Sequence, residues 1–330
     1  MSLRAALEQE AARLEFLAVG VATLEPSRYG PALDAWLARG FGGTMRYLHR
    51  QAARRKEPAR IQAGATRAIV VLDNYAQPRA SLPPGAGPAG DGAVTGTAED
   101  AGRRCGPEVR IAQYARGRDY HLDLTERLEH LADWVRGQGA TIARSFADAG
   151  PVPERELAMR AGLGWIGKNT MLIRPGVGSL FFIGTVFTDL DLEPDPAFEP
   201  DHCGTCTRCL DACPTAAIVE PRVLDATRCI SYLTIESKTG PSADLVPRLA
   251  GWAFGCDICN DVCPWNERFA EPTGHAAYRD RGAVDRSDPG YFDRLGQPEF
   301  AERFGDTPFE RPGLERMRRN FANAFSSLLP

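Results

Sequence analysis

Eight cysteines in the second half of the chain form two blocks with related spacing. The first block contains Cys203, Cys206, Cys209 and Cys213, and Pro214 follows its last cysteine. The second block contains Cys256, Cys259 and Cys263, again followed by proline, and Cys229 lies between the blocks. Gaps of two, two and three residues before a Cys-Pro pair are typical of chains that hold two [4Fe–4S] cubes, in which the last thiolate binds the other cube. The sequence therefore predicts a protein that transfers electrons.

The two blocks align when the chain is shifted by about 50 residues, as expected for paired four-thiolate clusters. The shift leaves Ala253 opposite Cys203, and Cys229 is then available to replace the missing thiolate. The eight thiolates divide into two sets of four. The first set is Cys203, Cys206, Cys209 and Cys263, and the second is Cys213, Cys229, Cys256 and Cys259.

Zinc and disulfides are the alternatives for these cysteines. Zinc sites use CxxC pairs separated by a spacer, whereas this chain has a run of three cysteines, a Cys-Pro pair and a near-copy of both. The pattern favours iron–sulfur clusters. Cys105 stands outside it and is interpreted as an incidental thiol.

Length and composition indicate a water-soluble protein of about two domains. The chain has 330 residues, of which 43% are hydrophobic and 25% charged, and its net charge is −4. With this charge, contact with nucleic acid requires a local basic patch. No apolar run approaches the roughly 20 residues that cross a bilayer, and the N-terminus has no signal-peptide pattern. We expect a cytoplasmic protein, because thiols stay reduced in that compartment.

Hydrophobic periodicity predicts the elements that position these residues. Residues 1–50 are predicted to be helical, with helices over 31–39 and 45–54. Apolar runs predict strands over 67–74, 141–147 and 180–188, with helices over 120–138 and from about 153. Residues 77–108 are rich in proline, glycine and alanine and are predicted to form a mobile insertion.

The element order predicts an α+β fold in two parts. Residues 1–190 form an N-terminal domain of α/β or α+β layers, in which a substrate or second cofactor would bind. Residues 191–200 are a linker, and residues 201–266 form a C-terminal ferredoxin-like module with two clusters. Residues 267–330 are predicted to be a helical C-terminal segment.

Three segments of the N-terminal half have the composition of a site. Tyr114, Asp119 and His121 precede the 120–138 helix, Asp148 follows a strand, and a glycine-rich loop covers 162–170. Each also has a structural interpretation. Asp148 could cap the next helix, His121 could be a capped surface or core histidine, and the loop could be a plain turn.

Taken together, these segments resemble the epoxyqueuosine reductases of tRNA modification, from roughly residue 10 to 325. The resemblance is carried by the cysteine blocks and by ARGRDYH (115–121), PVPERELAMRAGLGWIGKNT (151–170), RCISYLTIESKTG (228–240) and FGCDICNDVCPWN (254–266). It implies a cobalamin-binding N-terminal domain with nitroreductase-like layers. The implied reaction, the last step of queuosine biosynthesis, reduces the epoxide of epoxyqueuosine to the alkene of queuosine at the tRNA wobble position.

The resemblance also implies roles for individual residues. Asp148 would be the general acid, kept protonated by the desolvating corrin and a flipped base. Asp119 and His121 would contact the substrate. Cobalamin contacts are implied for Arg55, Tyr114, Gly164, Trp165, Gly167, Lys168, Asn169, Thr170, Ser231, Lys238 and Asp257. Lys238 could instead be a solvated loop lysine. The implied partners are a tRNA anticodon loop and a low-potential electron donor, with no membrane contact and a monomeric enzyme.

Two clusters of arginines are candidates for phosphate contacts, or are simply solvated faces. They are Arg103, Arg104, Arg110, Arg116 and Arg118, and near the C-terminus Arg311, Arg316, Arg318 and Arg319. The family often carries a helical-repeat domain after the cluster module, for which residues 267–330 are too few. Two other functions remain open at this point. One is a reductive dehalogenase-like enzyme, which also combines cobalamin with two cubes, and the other is a ferredoxin-type electron-transfer protein that binds no corrin.

Overall fold

The computed structural model describes residues 2–78 and 107–329. Apart from its ends, the predicted 77–108 insertion lies outside these residues, as do Cys105, Arg103 and Arg104. The α-helices are α1 (Leu3–Arg13), α2 (Gly30–Ala38), α3 (Arg46–Lys56), α4 (Tyr120–Gly137), α5 (Glu154–Arg160), α6 (Arg208–Asp211), α7 (Ile230–Ile235), α8 (Ile258–Asp261), α9 (Pro264–Phe269), α10 (Gln297–Phe304) and α11 (Leu314–Ser326). The strands are β1 (Ala18–Thr23), β2 (Arg67–Asn74), β3 (Arg110–Ile111), β4 (Ala143–Ala147), β5 (Trp165–Ile166), β6 (Leu172–Ile173), β7 (Phe181–Thr188), β8 (Ile218–Glu220), β9 (Val223–Leu224) and β10 (Trp252–Phe254).

A four-stranded sheet in the order β1-β2-β7-β4 forms the centre of the N-terminal half. Its neighbouring strands are antiparallel, with Ala18 opposite Leu72 in the first pair and Arg67 opposite Thr188 in the second. β4 also pairs with β7 in antiparallel orientation. Of the two layer types that the sequence left open for this half, the structure has the antiparallel α+β type.

Both faces of the sheet are covered, which explains why β2 reads as an unbroken apolar run. Ile69 and Val71 pack with buried residues of α1 and α4 on one face. Val70 and Leu72 pack with residues of α5 on the other. The α4 helix buries its predicted stripe completely, because Leu124, Leu128, Leu131 and Val135 are each 0% exposed.

The predicted helices over 31–39, 45–54 and 120–138 and the predicted strands are confirmed, with ends shifted by at most two residues. The prediction that residues 1–50 form only helices, apart from the turn at Gly40–Gly43, was wrong at β1. Its sequence, AVGVAT, is short and composed of small residues, so its apolar signal is weak. Packing explains the small residues, because a Cβ on Gly20 would lie 2.3 Å from the carbonyl oxygen of Ala161 at the end of α5.

The cluster module repeats its local structure as well as its cysteines. The single-turn helices α6 and α8 occupy equivalent positions of the two blocks. Residues 191–200 contain no helix or strand, as expected for a linker, but they are held to the N-terminal half. The Asp195 carboxylate accepts hydrogen bonds from the Val21 backbone N–H at 2.7 Å and from Arg4 at 2.5 Å.

The two halves share secondary structure and core. β3 pairs in parallel with β10 beside the second cysteine block. The hydroxyl of Tyr278, from the C-terminal segment, donates to the buried Asp73 carboxylate of β2 at 2.6 Å. Between the cluster module and α10, the C-terminal segment is mostly loop, with one short 3-10 helix at Ala276–Tyr278. The predicted domain boundaries stay a prediction.

The helices in the described part of the chain are all too short or too polar to cross a membrane.

Candidate active site and cluster centre

Four thiols surround a cavity of about 140 Å³ in the cluster module, and they are the four of the first predicted set: Cys203, Cys206, Cys209 and Cys263. Burial, and then the charges of Cys203 and Cys263, raise the pKa of Cys209 to about 11. Within residues 2–78 and 107–329, no three or more cysteine, histidine or acidic side chains are close enough to share one metal ion. Four thiols placed around a volume fit a [4Fe–4S] cube, in which the protein supplies four cysteine thiolates.

The second predicted set is also drawn together. Burial, followed by the charge of Cys229, raises the pKa of Cys259 well above its ordinary value. Burial and the charge of Cys259 do the same for Cys256, and Cys213 raises the pKa of Cys229 in addition to burial. Thiolates buried this closely repel each other unless a cation compensates, and cluster iron provides such a cation.

The Trp165 ring packs against the first cluster cavity. Its indole Nε1 donates a hydrogen bond to the Cys203 Sγ at 3.5 Å, and the residue is 3% exposed. Three more rings lie 5.0–5.8 Å from the Trp165 ring centroid: Trp265, His202 and Phe198. Together they form an aromatic shell on one side of the cluster.

The rest of the 164–170 loop binds both cysteine blocks. Lys168 Nζ donates to the backbone oxygens of Gly204 at 2.6 Å and Cys206 at 2.9 Å. Asn169, which is 3% exposed, donates from Nδ2 to the Cys259 oxygen at 3.3 Å. These contacts fix the two cluster-binding segments relative to each other.

Close backbone packing explains the glycines of this loop. At Gly164, where φ is +155°, a Cβ would lie 2.2 Å from the Ile173 oxygen in the adjacent strand. At Gly167 a Cβ would lie 2.5 Å from the Ile173 side chain. The glycines permit a tight β5–β6 hairpin, and of the predicted loop residues only Thr170 lines the second, larger cavity described next.

A cavity of about 900 Å³ lies between α3, the start of α4, the end of β4, and α7. Its volume is in the range of cofactor pockets. The predicted site residues that line it are Arg55, Tyr114, Asp119, His121, Asp148, Thr170 and Ser231. The remaining predicted residues are not part of its wall: Gly164, Trp165, Gly167, Lys168, Asn169, Lys238 and Asp257. Cys229 of the second cluster set does line the cavity, so that cluster would lie next to it.

Two residues outside the cavity wall have structural contacts instead. The buried Asp257 carboxylate accepts the Gln113 backbone N–H at 2.7 Å. The backbone oxygen of Lys238 accepts a hydrogen bond from Arg319 at 2.8 Å. The structural interpretation of Lys238 as a loop lysine agrees with this position.

The Asp148 carboxylate projects into the cavity and is 65% exposed. Its backbone has φ +48°, a left-handed conformation that turns the chain sharply after β4. The Tyr120 hydroxyl donates to Asp148 Oδ2 at 2.6 Å. The structural alternative for Asp148 was wrong, because the N-cap of α5 is Pro153.

Asp119 and His121 form a pair beside this carboxylate. The Asp119 side chain caps α4 by accepting the His121 backbone N–H, and it also bonds His121 Nδ1 at 2.8 Å. His121 Nε2 lies 3.9 Å from Asp148 Oδ2. Asp119 therefore caps α4 and also orients the imidazole toward Asp148. The role of this pair in substrate contact stays a prediction.

Sequence reasoning missed two residues that contact Asp148. Tyr120 is buried between His121 and Phe182, with both ring centroids 4.1 Å away. Burial and the Asp148 charge raise the pKa of Tyr120 well above its ordinary value, so its hydroxyl remains a donor. The Glu154 carboxylate accepts the Asp148 backbone N–H at 2.8 Å. Tyr120 and Glu154 both lie within the motifs that carry the family resemblance. Their spacing in the sequence does not show that both contact Asp148.

Arg55 provides a test of whether this cavity fits a large polar ligand. Its terminal nitrogens donate to the backbone oxygens of Gly150 at 3.1 Å and Val152 at 3.4 Å. Its Nε is buried in the cavity wall without a hydrogen-bond partner. An unpaired buried donor costs free energy, and a ligand oxygen in the cavity would satisfy it.

The arginine clusters that the sequence suggested for phosphate contact have mostly structural roles. Arg116 is 7% exposed and donates to the Ile111 backbone oxygen. Arg316, Arg318 and Arg319 each donate to backbone oxygens of residues that come before α11 in the chain. Arg311 lines the cavity, where it pairs with Glu236 at 2.6 Å. Three members of the C-terminal cluster thus have structural contacts, and phosphate binding by this cluster stays a prediction.

Comparisons with known proteins agree with this geometry. A family model for epoxyqueuosine reductase QueG matches residues 55–149, and one for a 4Fe-4S double cluster binding domain matches residues 202–266. The epoxyqueuosine reductase of Pseudomonas aeruginosa is 40% identical over 310 residues, covering 94% of this chain and 81% of the relative. This chain belongs to the epoxyqueuosine reductase family. The prediction of two [4Fe–4S] clusters is confirmed, and the family supports the predicted function over the two alternatives.

Solved structures of epoxyqueuosine reductases have the same fold. One contains an epoxyqueuosine-modified tRNA-Tyr stem loop; it is 25% identical, with a TM-score of 0.82 over 98% of this chain and 81% of that one. Another, from Bacillus subtilis, has its catalytic aspartate loop swung out of the active site. It is 25% identical, with a TM-score of 0.79 and coverage of 98% and 81%.

The Trp165 contact generates a prediction about the first cluster. A hydrogen bond to a cluster thiolate stabilises the more negative, reduced state, so its loss lowers the reduction potential. We expect Trp165→Phe to keep its iron content and to lower the midpoint potential of one cluster in an anaerobic redox titration followed by electron paramagnetic resonance.

Trp265→Phe is the matched control, because Trp265 belongs to the same aromatic shell but its indole N–H makes no hydrogen bond to a thiol in the described structure. We expect it to leave both potentials nearly unchanged. Equal shifts in the two variants would assign the effect to the aromatic shell and refute the role of the N–H group.

Glu154 generates a prediction about pH. Burial, and then the Asp148 charge, raises the pKa of Glu154 to about 8. Because the folded state binds this proton more tightly than the unfolded state, stability falls as pH rises from the unfolded pKa toward 8. Glu154→Gln cannot ionise, so its melting temperature should rise relative to wild type between about pH 5 and pH 8.

The control is Glu126→Gln, which changes an exposed carboxylate on α4. Its melting temperature should follow that of wild type across the pH series. If Glu154→Gln also follows wild type at every pH, the carboxyl group is ionised in the folded protein and the prediction is wrong.

Proposed function

We propose that this protein reduces epoxyqueuosine to queuosine in tRNA, using cobalamin and two [4Fe–4S] clusters. The observation that carries the proposal is the cavity of about 900 Å³, whose wall contains both the Asp148 carboxylate and the cluster ligand Cys229. A proton donor and an electron source would thus contact one bound substrate. Membership of the family and the tRNA stem loop bound by a relative support the choice of substrate.

The cavity wall offers suitable contacts for cobalamin. Arg55 would use its unpartnered Nε, Ser231 and Thr170 would offer hydroxyl and backbone groups, and Tyr114 and Phe254 would offer apolar surface. When bound, cobalamin would supply the strongly reducing centre that breaks a carbon–oxygen bond, with the protein orienting it. The predicted contacts of Trp165, Lys168 and Asn169 with cobalamin would be indirect, through the cluster segments that these residues hold.

Converting an epoxide to an alkene takes two electrons and two protons and releases the oxygen as water. We assign the first proton to Asp148. Since Oδ2 accepts the Tyr120 hydroxyl, Oδ1 is the atom placed to give a proton to the substrate oxygen. The exposed side chain can take a further proton from solvent. His121, oriented by Asp119, would contact the substrate beside Asp148.

Three expectations about the surroundings of the enzyme also belong to this proposal. The electrons would come from a low-potential donor, because iron–sulfur clusters can operate below about −400 mV. The reaction would take place in the cytoplasm, where tRNA and reduced thiols occur. We infer a monomeric enzyme, whose cavity is formed by one chain.

Asp148→Asn tests the assignment of the acid. Loss of a general acid reduces the rate by about 10²- to 10⁴-fold, and an amide of the same size should retain the corrin band and the iron content. The measurement is anaerobic turnover with cobalamin, a strong reductant and tRNA that contains epoxyqueuosine, followed by nucleoside analysis. Turnover at the wild-type rate would remove Asp148 from the mechanism.

Asp189→Asn is the matched control. Asp189 follows β7 and accepts the Ile142 backbone N–H at 2.9 Å, at the opposite end of β4 from Asp148. The five residues of β4 separate the two carboxylates by about 17 Å, since a strand rises about 3.3 Å per residue. Asp189→Asn should therefore turn over at the wild-type rate.

A further inference from the structure

Helix α3 carries a stripe of exposed cations. Its sequence, RYLHRQAARRK, contains no acidic residue, and Arg46, Arg50 and Arg54 recur every four residues. Residues at this spacing lie in one line along a helix, about 6 Å apart. All three are exposed.

The three stripe arginines have no hydrogen bond or ion pair with another side chain in the described ranges, 2–78 and 107–329. Their neighbours differ: Arg55 donates to Gly150, and Lys56 pairs with Asp34. Like charges four residues apart destabilise a helix by a few tenths of a kcal/mol per pair. The stripe therefore has an unfavourable self-interaction that an external anion would relieve.

The stripe lies at the rim of the large cavity. Tyr47, Gln51 and Arg55 line that cavity and also recur every four residues. Each stripe arginine is one position before one of these residues, and successive residues of a helix are rotated by about 100°. The stripe is therefore a quarter-turn around α3 from the line that faces the cavity.

We propose that Arg46, Arg50 and Arg54 bind backbone phosphates of the tRNA anticodon stem loop and hold it over the cavity. The proposal rests on the proposed function and adds the surface that recognises its substrate. A nucleotide that enters the cavity must leave its stack, so the phosphates of its neighbours are held at the rim. The stripe is about 12 Å long, which suits several phosphates of one strand better than a single ion.

The charge distribution favours a polyanion as the partner. The chain has a net charge of −4, so its attraction for nucleic acid must come from a local patch. The arginines of the C-terminal cluster donate to backbone oxygens or pair with Glu236. Unlike them, the α3 stripe offers its guanidinium groups to solvent.

The test is equilibrium binding of a fluorescent anticodon stem loop to the anaerobic holoprotein between about 50 and 200 mM salt. The variants are Arg46→Gln, Arg50→Gln, Arg54→Gln and the triple substitution. Each lost phosphate contact should reduce the slope of log K against log salt by about 0.7 to 0.9. We expect the triple variant to lose about two to three units of slope and to show a raised KM for tRNA at an unchanged kcat.

Arg136→Gln is the matched control for loss of one positive charge. Arg136 lies near the end of α4, 15 residues after His121, and is therefore about 22 Å from the cavity along that helix. It should bind RNA as wild type does. An equal loss of slope in Arg136→Gln would overturn the proposal, because overall charge would then explain the effect.

Other outcomes separate this proposal from the proposed function. If the triple variant binds with the wild-type slope and affinity while wild type converts epoxyqueuosine, the stripe is refuted and the function stands. If wild type neither binds nor converts the modified tRNA, the proposed function is overturned and the stripe proposal with it.

Discussion

Two groups of four closely placed thiols are the constraint on which the rest of the structure depends. Burial and the charges of neighbouring cysteines raise the pKa values of Cys209, Cys256 and Cys259, so their thiolates are favourable only when they bind cations. A repeated chain segment supplies most of them, with α6 and α8 at equivalent positions. Lys168 and Asn169 bind both segments and thereby fix the separation of the two groups.

The second group of thiols and the large cavity share one continuous segment of the chain. Cys229 begins α7, whose side chains form one wall of the cavity. The opposite wall comes from the antiparallel sheet, where β4 ends in the left-handed turn at Asp148. Asp148 and Cys229 therefore line the same volume. Under the proposed function, electrons from the cluster side and a proton from the sheet side would meet there.

The sequence-based predictions of structure were most accurate where residue spacing alone determines the structure. The β2 run and the α4 stripe follow from periodicity, and the structure agrees with them. The division of the eight cysteines follows from repetition, and the four of the first set line one cavity. Spacing predicted the position of the 164–170 loop but not its neighbours, so the contact of Trp165 with Cys203 was missed. The backbone contacts of the arginine clusters were missed for a related reason, because sequence does not show which guanidinium groups donate to backbone oxygens. β1 was missed because its packing against α5 requires small residues with little apolar signal.

Iron and acid-labile sulfide analysis of protein purified without oxygen tests the central claim most directly, combined with Mössbauer spectroscopy of the same sample. Two cubes of four irons each predict about eight irons and a similar amount of sulfide per chain. Zinc in place of iron, or about four irons in a fully folded chain, would contradict the account.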